Sequence, residues 1–118
     1  MANFTGNMTA GLSTSDGISL SKVANGTAFN AKAMLDDIFS APALVDLQPL
    51  MASIADPKYA LMVCDGDGAQ MAFDGGGVTV KAFKTALFEI ASAPAGGLDL
   101  ELTVMGTSQR IRFLGMGD

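Results

Sequence analysis

The chain has 118 residues, enough for one domain that folds without disulfides and buries roughly 65% of the surface its unfolded form exposes. It carries 12 Asp and Glu against 7 Lys and Arg, a net charge of −5, with no His, no Trp and one Cys. The lack of His excludes Ser-His-Asp and Cys-His nucleophiles, imidazole zinc sites and His-ligated haem, and the negative balance argues against direct nucleic-acid binding.

Apolar residues make up 49% of the chain and charged residues 16%, against roughly 25% charged in an average domain. The mean hydropathy is +0.36. So little charge on a small domain points to a surface covered in part by other chains. The longest apolar runs, such as 59–64, fall far short of the ~18 residues of a membrane span. The N-terminal residues show no basic segment followed by an apolar one, so cytosolic synthesis is expected. In that setting the sequons at Asn3, Asn7 and Asn25 read as simple Asn and Thr richness.

Residues 1–27 are rich in Gly, Ser, Thr and Asn, with Asp16 and Lys22 as their only charges. Their few large apolar residues are Phe4, Met8, Leu12, Ile18, Leu20 and Val23. This composition predicts an extended N-terminal arm, with a short strand near 17–23 and a turn at Asn25-Gly26. A disordered tail is the alternative, but the arm lacks the charge and Pro enrichment of disorder. A compact domain is expected over 28–118. Ala31, Met34, Leu35 and Ile38 recur at helical spacing, with Thr27 or Asn30 as N-cap and Pro42 as the stop. A second helical segment carries Leu44, Val45, Leu47, Leu50, Met51 and Ile54, interrupted at Pro49.

The run 59–64 reads as a central strand, apolar on both faces. Asp65-Gly66-Asp67-Gly68 then reads as a hairpin loop to a half-buried strand with Ala69, Met71 and Phe73 on one face. Gly75-Gly76-Gly77 is a break, followed by a strand starting at Val78 and Val80. Phe83, Leu87 and Ile90, with Ala82, Ala86 and Ala91, predict a helix over 81–92. Leu98, Leu100, Leu102 and Val104 alternate with polar residues in the clearest strand of the chain. Gly106-Thr107-Ser108 turns it into a return strand with Ile111 and Phe113, where Arg110 and Arg112 are placed to pair with Asp99 and Glu101. The fold class expected is therefore α+β: an arm, two short helices, then a four- to five-stranded, mainly antiparallel sheet with one packed helix.

The chemistry-bearing residues are sparse. Asp65-Gly66-Asp67-Gly68 departs from a calcium loop, because Ala69, Gln70 and Gly76 stand where an oxygen ligand, Gly and Glu are needed. A looser calcium or ligand site on Asp65, Asp67 and Asp74 is the alternative functional reading. Gly75-Gly76-Gly77 lacks the Gly-Lys-Ser/Thr ending of a phosphate loop. Asp36 and Asp37 are adjacent and do not converge. Cys64 sits in an apolar run with no base beside it and reads as a buried, inert thiol. No enzymatic activity, cofactor or metal is expected.

The eight Met residues suit adaptable contacts. The function expected is structural self-assembly. A low-charge, His-free subunit with a neutral arm has the composition of auxiliary virion proteins of tailed phages, such as capsid cement, decoration or tail-tube subunits. This is an analogy of composition and architecture. The arm would act by β-addition and apolar contacts, through Phe4, Met8, Leu12, Ile18 and Leu20, with Met116 at the other end of the chain. The expected partners are copies of itself or neighbouring capsid or tail subunits, not nucleic acid or membrane. The expected location is the virion, after synthesis in a bacterial cytoplasm. A tail-tube role predicts an acidic lumen, and a cement role predicts contacts with a capsid lattice.

Overall fold

Antiparallel strand pairing organises the chain from end to end. The computed structural model describes residues 4–73, 78–91, 100–106 and 108–118. The strands are β1 (Phe4–Ser13), β2 (Ser19–Phe29), β3 (Ala31–Phe39), β4 (Ala43–Asp46), β5 (Pro57–Cys64), β6 (Ala69–Phe73), β7 (Val78–Phe83), β8 (Thr85–Glu89), β9 (Leu100–Val104) and β10 (Gln109–Gly117). A single helical turn, α1 (Gln48–Met51), separates β4 from β5. Among the described residues strand accounts for 69% and helix for 4%, which overturns the α+β expectation.

Two four-stranded sheets, β3-β10-β5-β8 and β4-β9-β6-β7, form a sandwich. The two orders run in step. Each pair β3/β4, β10/β9, β5/β6 and β8/β7 holds equivalent places, so the chain repeatedly turns a corner from one sheet to the other. Between the sheets lie Met62, Cys64, Ile111 and Phe113 from the first, and Ala69, Met71, Leu100, Leu102 and Val104 from the second. Leu47, Met51 and Ile54 of the α1 segment are also fully buried there. Met51 passes under Gly115, where an added Cβ would lie 2.6 Å from its sulfur. Pro49 falls in the first turn of α1, and Asp46 accepts a hydrogen bond from the Gln48 amide (3.0 Å).

Two predicted helices and the first part of a third are strands, for one physical reason, while α1 with Pro49 in its first turn falls in the later part of that third segment. Residues 31–38 form most of β3, 44–46 lie in β4, and 81–92 include the end of β7 and all of β8. In β3, Ala33 and Leu35 face the core while Met34 and Ile38 face outward. In β8, Ala86 and Phe88 pack on the core while Leu87 lies on the other side. Apolar residues on both faces hide a two-residue period and populate the i, i+3, i+4, i+7 positions by default.

Several turns also differ. The 65–68 loop is a corner between sheets and not a hairpin. The Asn25-Gly26 pair lies inside β2 as a bulge, where Gly26 takes φ +69° and donates its amide to Asn7 Oδ1 (2.8 Å). The β1–β2 turn is at 14–17 instead. Strands β9 and β10 lie in different sheets, so Arg110 pairs with Asp36 and Arg112 with Asp65. Asp74, Gly75-Gly76-Gly77, Pro94, Leu98 and Asp99 lie outside the described residues. Among those described, no helix is long and apolar enough to cross a membrane.

Candidate assembly surface

Pairing register places the outward side chains of the first sheet in rows across its four strands. One row reads Lys32, Met116, Tyr59, Glu89, from β3 to β8. The next reads Met34, Leu114, Leu61, Leu87, and is apolar across the whole width of the sheet. The third reads Asp36, Arg112, Val63, Thr85. Opposed residues share a face in antiparallel pairs, so these rows form one continuous outer surface.

The β1–β2 ribbon lies over this surface as a third layer and crosses the strands. Phe4 stacks its ring 5.2 Å from the Lys32 ammonium on β3. Gly6 lies over Met116 on β10, where a Cβ would approach its sulfur to 2.6 Å. Met8 shares an apolar recess with Tyr59, Leu61, Leu87 and Leu114. Lys22, directly opposite Ala10, forms an ion pair with Glu89 on β8 (2.7 Å). The ribbon therefore tracks the first row from one edge strand to the other. Phe29, fully buried, meets Phe4 (6.0 Å between centroids) and Tyr59 (5.7 Å, edge to face). The bulge at Asn25-Gly26 inserts the extra residue that turns Thr27 and Phe29 to the same ribbon face as Ala24 and Lys22.

Beyond β8 the ribbon runs on with its large apolar side chains exposed. Its body-facing side carries Phe4, Gly6, Met8 and Ala10 in sequence, then Leu12, which pairs with Leu20. Leu12 is 82% exposed and Leu20 76%. Ile18 at the turn and Val23 on the opposite ribbon face are also exposed. Ala10, Gly11, Leu12, Leu20, Ser21 and Lys22 line a shallow apolar concavity of about 420 Å³. At the opposite edge of the same face the ribbon leaves Met34 (61% exposed) and Ile38 (70%) of β3 uncovered, with Leu114 beside Met34. A further recess between Met34, Leu61, Val63, Arg112 and Leu114 measures about 150 Å³.

The residues expected to make assembly contacts thus divide. Phe4, Met8 and Met116 come together under the base of the ribbon, within the chain. Leu12, Ile18 and Leu20 lie together on the overhang. Leu114 belongs to the tail that the sequence reading left free to dock on a neighbour, whereas Met34 and Ile38 had no place in it as surface residues. Their signal was the alternation Lys32, Met34, Asp36, Ile38, which a helical reading of the segment conceals.

The charges around the surface are paired. Asp36 accepts two hydrogen bonds from Arg110 (2.8 and 2.6 Å), which hold its carboxyl below the usual range and raise the guanidinium. Arg112 reaches Asp65 (3.3 Å). A hydrogen bond and the charge of Glu89 raise the Lys22 ammonium, and Asp56 does the same for Lys58. Burial, and secondarily Asp65, raise the Cys64 thiol. Asp67 packs against Gly106. Among the described residues, no group of three or more His, Cys, Asp or Glu converges as a metal site would require. Comparison with protein-family profiles, curated proteins and solved structures finds no match to the chain.

Proposed function

We propose that the protein is a structural self-assembly subunit, of the kind that tailed phages use as capsid cement, decoration or tail-tube proteins. The carrying observation is the overhang of the β1–β2 ribbon, which holds Leu12, Ile18 and Leu20 exposed beyond the β8 edge. An isolated two-stranded ribbon is marginal in water, and clustered large apolar residues at its tip are costly unless another chain covers them. The low charge of the chain, 16%, supports the same reading.

The arm acts by laying its apolar face on a neighbouring subunit. The test is native mass by light scattering on a sizing column, comparing the full chain with Leu12→Gln/Leu20→Gln. Both side chains are exposed, so the variant keeps its fold. The expected result is an oligomer of the full chain that dissociates in the variant. A full chain that stays monomeric at every accessible concentration would refute self-assembly. An oligomer unaffected by the substitutions would remove the arm as its clasp.

A further inference from the structure

We propose, resting on the self-assembly reading, that the arm of one copy docks on the Met34–Leu114 side of the outer face of the next, head to tail. Three observations converge on this occupant. The first is that the outer face already receives the same ribbon: Met8 sits among Tyr59, Leu61, Leu87 and Leu114 of its own chain. The second is that Leu12 and Leu20 lie on the ribbon face that carries Met8, so the overhang presents to a neighbour the side that the base presents to its own sheet. The third is that overhang and vacancy lie at opposite edges. The ribbon runs out past β8, and the uncovered apolar residues, Met34 and Ile38, are on β3. A neighbour set with its β3 edge against the β8 edge of the first copy brings the two surfaces together. Leu12 and Leu20 then cover Met34 and Leu114, beside the neighbour's own ribbon.

Such a contact joins different patches and is heterologous. It repeats from copy to copy and produces a ring where the rotation closes and a filament where it does not. Size supports repetition over a simple pair. The overhang, residues 11–21, offers fewer residues than the roughly 20–30 per side of a standard interface. In a head-to-tail array each subunit uses two such contacts, one as donor and one as acceptor. A fold-back pair of arms, tip against tip, would leave Met34 and Ile38 in water.

Mixing tests the geometry. Leu12→Gln/Leu20→Gln removes the donor and keeps the acceptor. Met34→Gln/Ile38→Gln, at two mostly exposed positions of β3 outside the recess that holds Met8, removes the acceptor and keeps the donor. Gln changes no charge. Sedimentation velocity of each variant should show loss of the wild-type oligomer, and either variant mixed in equal amount into wild type should shrink its assemblies, because each keeps one half of the contact and ends the array. A Met34→Gln/Ile38→Gln variant that assembles like wild type would overturn the docking site while leaving arm-mediated assembly standing. Variants that leave wild-type assemblies at full size when mixed in would also overturn it, since the intact half of a heterologous contact must compete for them. A wild-type chain that is itself monomeric refutes self-assembly and not the site alone.

Discussion

Gln109 provides the most incisive test of how the sandwich is held. It is the first residue of β10 and is buried. Its amide nitrogen donates to the carbonyls of Gly68 (2.8 Å) and Met105, and its oxygen accepts from the Gly68 amide (3.2 Å). One side chain thereby ties the start of β10 to the start of β6 and the end of β9 in the other sheet. Gly66 makes room for it, since a Cβ there would stand 2.6 Å from the Gln109 Cβ. Gln109→Ala leaves the buried Gly68 amide and the half-buried Met105 carbonyl without this partner. Each orphaned group costs about 1–3 kcal/mol, so the expected loss is about 2–6 kcal/mol. Urea unfolding in the Leu12→Gln/Leu20→Gln background, where self-association adds no stability, should show the midpoint fall by about 1–3 M. Gln109→Glu is the sharper control. It keeps the shape but sets a carboxylate against two carbonyls, which raises the pKa of that carboxyl in the folded state. A raised folded pKa means that stability is fully present below the ordinary Glu value and is lost as pH rises through the folded one. The Glu variant should therefore approach wild type in acid and fall furthest at neutral pH. A loss below about 0.5 kcal/mol for the Ala variant, or a pH-independent deficit for the Glu variant, would refute the staple.

The remaining predictions concern backbone, thiol and surface charge. Gly117→Ala would place a Cβ 2.8 Å from the Pro57 Cα and 2.9 Å from the Lys58 nitrogen, forcing β10 from β5 at a cost of about 1–3 kcal/mol or more in denaturant unfolding. Gly11→Ala, whose nearest neighbour is Ser21 Cβ at 3.6 Å, should leave the unfolding midpoint nearly unchanged. Cys64 is buried and its thiol is raised, so alkylation followed by mass spectrometry should show no reaction in the native state and full reaction once unfolded. The Asp36 carboxyl should titrate below the ordinary range by NMR, and Arg110→Gln should return it upward. A lowered folded pKa makes the stabilisation from this pair present above the ordinary carboxyl value and lost as pH falls through the folded one. Salt should weaken it, because both partners are exposed.

Strands with one apolar and one polar face were readable from sequence. Leu100, Leu102 and Val104 point inward against Glu101 and Thr103, and the period of two is plain. Ile111 and Phe113 against Arg110 and Arg112 behave alike. The segments misread as helices flank a surface that is also apolar. Met34 and Leu87 lie in the outer apolar row, opposite in sense to the core residues Ala33 and Ala86. Helix-favouring Ala, Lys, Met and Leu in 31–35 added to the error, and pairing along all of β10 overrode their local preference. The same cause concealed half of the candidate surface. Leu12 and Leu20 stand out in a segment otherwise made of small polar residues. Met34 and Ile38 look like core until β3 is known to be a strand. The third layer could not be read from local pattern, because the bulge at Asn25-Gly26 changes which residues of β2 face the sheet.

On the proposed self-assembly reading, the energetics of the overhang bear on what kind of assembly it would build. Covering Leu12, Leu20 and Ile18 removes from water side chains that each contribute about 1.5–3 kcal/mol when fully buried, so one arm supplies on the order of 4–6 kcal/mol at the observed exposures. Association costs an estimated 4–15 kcal/mol in lost rigid-body freedom, before the arm itself is ordered. One arm on one neighbour therefore barely balances, and a head-to-tail dimer held by it would be weak. The balance changes when the contact is repeated. Closing a ring adds a further arm contact without another full association cost, and docking onto an existing lattice raises the effective concentration of every later contact. A chain with this arm should thus show little dimer and a steep, cooperative rise of large species with concentration. An arm sized for weak individual contacts suits a subunit added late to a repeating array, where strong pairing in solution would compete with incorporation.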